Sequence, residues 1–178
     1  MKKTIFSSLI ILSTSLLLSG YYMNFIHMPV GFSRFCHLFF PPKDLYKPIV
    51  TDDFSLDEKG LTKRYFIKPK YSTIYEILFL VDQKSGIDQK YKFNGKIKAE
   101  FFYKDKLLFE NLINNQYYSL FISKTNSYIL IGILNFDIPL QNKYKDNISI
   151  KLTVMEADQE LKKYHDSIKL CIKVSPTH

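Results

Sequence analysis

From Ile49 onward the chain is written in short apolar runs separated by polar breaks, the pattern of strands joined by turns. Nine strands are expected, near Ile49–Leu56, Leu61–Lys68, Tyr71–Val81, Lys96–Tyr103, Lys106–Glu110, Tyr117–Ile122, Ser127–Phe136, Asn147–Glu156 and Ser167–Val174. In Ile148-Ser149-Ile150-Lys151-Leu152-Thr153-Val154 the apolar residues occupy every second position, so one face of that strand is buried and the other wet. Ile168-Lys169-Leu170-Cys171-Ile172-Lys173-Val174 repeats the pattern and puts Cys171 on its polar face. Tyr128 to Leu134 and Ile77 to Val81 are apolar throughout, as in central strands covered on both faces. Residues Ala157 to Tyr164 read as a short helix or polar loop, and no long amphipathic helix appears.

Without crossover helices, a parallel α/β fold is disfavoured. The expected fold class is all-β: an antiparallel β-sandwich, immunoglobulin-like in a loose sense, with a jelly roll or small barrel as the alternative. Residues 49–178 would form this domain. Residues 21–48 would form an irregular lead-in, interrupted by Pro29, Gly31, Pro41, Pro42 and Pro48. The lead-in is rich in apolar groups, including Phe25, Ile26, Phe32, Phe35 and Phe39, and therefore has to lie against the domain, a membrane or a partner.

Residues 1–20 follow a different pattern. Lys2 and Lys3 precede an uncharged apolar run of roughly 15 residues, the form of a secretory signal peptide. The chain stays free of charged Lys, Arg, Asp and Glu from Thr4 to Ser33, so an uncleaved membrane anchor is a second reading. A buried cytosolic helix is a third. The first two place the domain outside the inner membrane, in the periplasm or attached to the membrane facing it. Leu17-Leu18-Ser19-Gly20 resembles the end of a bacterial lipoprotein signal, but Tyr21 stands where the lipid-bearing cysteine would be and has no thiol to acylate.

Composition agrees with a folded chain: 46% of its 178 residues are hydrophobic and 16% aromatic, too many for disorder. The formal charge of +8 raises the question of nucleic acid or an anionic surface. The lysines alternate with apolar residues, as in Lys96-Ile97-Lys98, which is the wet face of a sheet. No zinc-finger, helix-turn-helix or RNA-binding pattern occurs, so nucleic acid is not an expected partner.

There are two cysteines, Cys36 in the lead-in before the domain and Cys171 in its last strand. Exported cysteines commonly pair, and a bridge closing so long a loop adds about 4–5 kcal/mol on the chain-entropy model. The alternative is that Cys171 is a small buried hydrophobe. Its place on the polar face of the last strand favours the disulfide.

Chemistry is sparse. Cys36, His37 and His165 could hold a metal only if the lead-in met the last turn, and His27 and His178 fall in no ligand motif. His165-Asp166 could supply a base and an acid, but sequence neighbours seldom orient each other. No nucleophile elbow, phosphate loop or calcium loop occurs. The acidic pairs Asp52-Asp53 and Asp57-Glu58 sit in or beside turns. No catalytic residue, metal or cofactor is expected. Adjacent aromatics such as Phe101-Phe102 and Tyr117-Tyr118 point to opposite faces of their strands, so some rings either cover a second layer, the favoured account, or anchor a partner.

The segments Phe54-Ser55-Leu56-Asp57-Glu58-Lys59-Gly60, Tyr65-Phe66-Ile67 and Tyr71-Ser72-Thr73-Ile74-Tyr75 resemble the opening of small envelope β-sandwich domains of unknown function from Gram-negative bacteria, often lipoproteins. The resemblance spans Ile49 to Val174 and implies a periplasmic, non-enzymatic module; it transfers no functional residue. The expected role is a non-catalytic protein-binding module of the envelope, of immunity type. A structural or assembly component is the alternative, and an enzyme with a non-obvious site the third.

Overall fold

The computed structural model describes residues 41–71, 73–82, 91–114, 118–122, 127–137 and 148–175, together with Thr14 and His37. The strands are β1 (Val50–Asp53), β2 (Thr62–Ile67), β3 (Ile74–Asp82), β4 (Lys96–Tyr103), β5 (Lys106–Asn114), β6 (Tyr118–Ile122), β7 (Ser127–Asp137), β8 (Ile148–Glu156) and β9 (Ile168–Val174). They form two antiparallel sheets. Sheet A has the order β1-β9-β3-β7-β6, and sheet B the order β2-β8-β4-β5. The expected β-sandwich is the architecture of the molecule, and its two separate sheets do not close into a barrel.

The core lies between the sheets and is supplied by alternate residues of each strand. Tyr75, Ile77, Phe79 and Val81 come from β3, and Ile97, Ala99 and Phe101 from β4. Ile150, Leu152 and Val154 from β8 meet Leu170 and Ile172 from β9. A ring contact joins the layers, Phe101 of sheet B lying 4.9 Å from Phe136 of sheet A, and Phe54, just past β1, packs 5.5 Å from Phe79 of β3.

Three strand ends differ from the pattern by more than one residue. β1 stops at Asp53, because Phe54 and Leu56 leave the strand to enter the core, and the Leu56 carbonyl accepts from the Asp158 amide. β3 begins at Ile74 rather than Tyr71. The Tyr75 hydroxyl donates to the Tyr71 carbonyl and accepts from the Tyr71 amide, a local loop that replaces ladder bonds. β5 runs on to Asn114 rather than ending at Glu110, since Ile113 reaches the core opposite Ile97.

The chain changes sheet at six of its connections, and two of these lie side by side. The β1–β2 connection meets the β8–β9 connection where the Asp158 amide donates to the Leu56 carbonyl (3.0 Å), and it is stitched to β8 itself by Gly60 N–H to the Val154 carbonyl (2.8 Å) and Val154 N–H to the Leu61 carbonyl (2.9 Å). The β8–β9 connection contains a 3-10 helix, Gln159–Ser167, where a short helix or loop was expected. Asp158 begins it: its carboxylate accepts from the Glu160 amide (3.0 Å), the Asn94 amide (2.7 Å) and the Tyr91 hydroxyl. All but buried, this acid is a structural clasp that ties the β3–β4 connection to the helix.

β4 and β5 are joined by the two-residue turn Lys104-Asp105, whose φ values of 45° and 63° are those of a type I′ hairpin. The Arg64 guanidinium holds the Asp105 carboxylate at 2.6 Å.

Candidate interaction surface

The outer face of sheet B carries its most distinctive group of side chains. β2, β8 and β4 are in register so that Phe66, Ser149 and Phe102 form one row across the sheet. Arg64 lies over this row. Its Nε donates to the buried Ser149 hydroxyl at 2.8 Å, and its guanidinium carbon stands 5.5 Å from the Phe66 ring centre and 5.0 Å from that of Phe102. One arginine thus stands over two rings and closes the β4–β5 turn through Asp105. Phe66 remains 73% exposed, the most exposed large apolar side chain described.

Next to this row lies a ladder of charges. Lys151 binds Glu100 (2.9 Å), and Lys98 binds Glu110 (2.8 Å) and Glu100 (3.3 Å). The Lys151 ammonium, and then that of Lys98, holds the Glu100 carboxyl below the usual carboxylate range. Leu112 on β5 extends the face and is 53% exposed. Most of β5 beyond it, including Leu107, Leu108 and Phe109, is also exposed. Phe66 and Phe102 under a fixed arginine, with the exposed Leu107 beside Phe102, have the composition that anchors protein partners.

A second feature is a cleft of about 220 Å³ at one end of the sandwich, lined among others by Asp44, Lys47, Lys70, Tyr71 and Val174. Lys70 donates to Asp44 at 2.5 Å and the Tyr71 hydroxyl donates to the same carboxylate. Lys70, and then Tyr71, lowers the Asp44 carboxyl to about 2. His37 is buried against Tyr71, edge to face with ring centres 5.4 Å apart, and Leu45 is buried beside the β9 end of the core. These contacts fasten the described part of the lead-in to the domain, one of the three places the sequence allowed for it. Its one described carboxylate, Asp44, is thus engaged by Lys70 and Tyr71.

The candidate residues fare as follows. Cys171 carries a free thiol, and Cys36, its expected partner, lies outside the described residues. The expectation that Cys171 sits on a polar face needs correction. It does point outward from β9, but Leu78 of β3 is its direct neighbour and Leu130 of β7 is close by, and all three are buried. The outer face of sheet A is apolar at this point, and burial pushes the thiol up to about 11. Such a thiol is a poor nucleophile.

His27 and His178 lie outside the described residues, as does Tyr117; His165 belongs to the 3-10 helix and its side chain is not described. Among the described residues, no three His, Cys, Asp or Glu side chains come together as metal ligands. Of the acidic pairs, Asp52 is structural: it accepts from Lys63 Nζ (2.9 Å) and the Tyr65 hydroxyl (3.1 Å), tying β1 to β2. No helix among the described residues is long and apolar enough to cross a membrane.

The Arg64–Phe66–Phe102 cluster was not singled out from sequence. Alternation placed Phe66 opposite to Tyr65 and Ile67, but only the sheet order brings Phe102 and Arg64 to it. Comparison with protein-family models, curated proteins and solved structures finds no match for this chain.

Proposed function

We propose that the chain is an exported, non-catalytic protein-binding module of the bacterial envelope, with a toxin to be neutralised as the favoured partner. The observation that carries this reading is the Phe66 ring, 73% exposed and stacked under an arginine on a rigid four-stranded sheet. A side chain of that size left in water on a regular element is costly unless something covers it, and aromatic and arginine side chains dominate the binding energy of protein interfaces. Export is supported by the Lys2-Lys3 head and the uncharged run that follows.

The test is in-cell crosslinking of a C-terminally tagged chain, with mass spectrometry of what it captures, repeated with Phe66→Ser. One protein captured in fixed ratio and lost from the variant supports the reading. A toxin as that protein supports neutralisation, and a resident envelope protein supports the assembly role instead. Capture unchanged by Phe66→Ser, or no capture at all, overturns this face as the binding site.

A further inference from the structure

We infer that β5 pairs with β5 of a second copy of the chain, antiparallel about a two-fold axis at Asn111, so that two sheets B join into one sheet of eight strands. This inference is independent of the partner proposed above.

The starting point is the contrast between the two lateral edges of sheet B. At the β2 edge the side chains close the sandwich: Lys63 and Tyr65 both bind Asp52 of β1. β1 itself is only four residues long and ends in Asp52-Asp53. At the other edge β5 is nine residues long and exposed along almost its whole length. It presents Leu107, Leu108, Phe109 and Leu112 beside a row of main-chain groups that, among the described residues, pair with β4 alone. Edge strands are normally kept short, charged or covered, because a free ladder recruits another strand. β5 has such devices near its start, the exposed Lys106 and a bulge that leaves Leu108 without a partner on β4, while its other charge, Glu110, is neutralised by Lys98. Phe109 to Asn114 run regularly past it.

The sequence of that regular stretch selects the register. In a two-fold pair about an axis normal to the sheet, opposed residues share a face. An axis at Glu110 would set two carboxylates against each other, which is unfavourable. An axis at Phe109 would drive the pairing into the bulge. An axis at Leu112 would set the core-facing Ile113 against the Asn111 amide and leave Phe109 beyond the paired stretch. An axis at Asn111 avoids all three. It opposes the two Asn111 amides, which can donate to and accept from each other. It sets Glu110 against Leu112 of the second copy, with each Glu110 still held by its own Lys98 at 2.8 Å. It sets Phe109, 39% exposed, against Ile113 of the second copy, on the side facing the cores. The exposed leucine and phenylalanine of the edge are thereby covered with no charge brought against a like charge.

The test uses the full chain as the cell produces it, with its mass measured by sedimentation velocity over the micromolar range. The expected mass is twice that of the chain. Asn111→Lys, which sets two ammonium groups face to face at the axis of the pair but lies exposed in the single chain, is expected to halve the mass and to leave a cooperative thermal transition whose midpoint no longer depends on protein concentration. Asn111→Cys should form an interchain disulfide under mild oxidation, since opposed Cα atoms in a ladder lie within disulfide reach. Asn114→Cys, far from its own symmetry mate, should crosslink no more than the unsubstituted chain. A chain that stays single at every concentration overturns the inference. So does a dimer that survives Asn111→Lys and gives no crosslink at position 111, because its interface must then lie elsewhere.

Discussion

The outer faces of the two sheets are built by the same alternation and end up in opposite conditions. On sheet A the outward residues Leu78, Leu130 and Cys171 are buried in a small apolar cluster, with Lys173 and Glu76 paired beside it at 3.4 Å. On sheet B the outward residues Phe66 and Leu112 stand in water among Arg64, Lys98, Glu100 and Lys151. Outward direction on a strand is therefore no guide to exposure. What decides is whether something covers the face, and a face dominated by small and aliphatic groups loses more by staying wet than one that carries a charge ladder.

Substitution of matched leucines gives the sharpest contrast. Leu78→Ala on sheet A should cost about 2–5 kcal/mol, the range for a buried leucine, whereas Leu112→Ala on sheet B, measured in the single chain held apart by Asn111→Lys, should stay within about 0.5 kcal/mol. Urea unfolding of the two variants measures both, and similar losses would mean that the two faces do not differ as described.

Gly95, at the start of β4, is expected to come next. A Cβ there would lie 2.6 Å from the Phe93 ring and 2.9 Å from the Glu156 carbonyl oxygen. Gly95→Ala should therefore cost about 1–3 kcal/mol, as overpacking does. A thermal midpoint equal to that of the parent would show that the ring yields freely.

A smaller effect comes from the sheet A cluster. The folded-state Cys171 thiol holds its proton more tightly than an exposed one, with its value raised from 9.0 to about 11. The stability this carries is complete below pH 9 and is lost as pH rises through 11. Thiol labelling at neutral pH should leave Cys171 unmodified until urea is added. Rapid labelling of the native chain at this position would place the thiol in water and remove the difference between the faces.

On the sheet B side, Lys104 occupies a left-handed turn position that glycine adopts without strain. Lys104→Gly should raise stability by up to about 1 kcal/mol, while Asp105 keeps its contact with Arg64. A loss instead would assign Lys104 a contact stronger than its packing over Tyr103.

The smallest effect is expected at the lead-in. Asp44, lowered to about 2 by Lys70 and Tyr71, adds stability above pH 4 that fades as pH falls towards 2. Asp44→Asn should flatten that part of the acid unfolding curve, and an unchanged curve would show that this exposed pair does not hold the lead-in.

Much of the architecture was legible because strand alternation is a local property. The pattern Ile148 to Val154 places its own apolar residues on one face whatever surrounds it, and β8 does so. The strand ends were less legible: Tyr71 was included in β3 although its amide bonds to the Tyr75 hydroxyl, a contact that no periodicity encodes. The disposition of Cys171 was misread for a similar reason. Lys169 and Lys173 flank it in sequence and suggest water, while its spatial neighbours Leu78 and Leu130 belong to strands far away in the chain.

The sequence by itself determined the class of fold and the inward residues of each strand, because steric alternation and the burial of apolar groups act within a few residues. Only the tertiary structure decided which outward residues meet. Arg64, Phe66, Phe102 and Ser149 come from three strands, and Leu78, Leu130 and Cys171 from three others. Those meetings depend on strand order and register, which are fixed by long-range pairing energies that no local window contains.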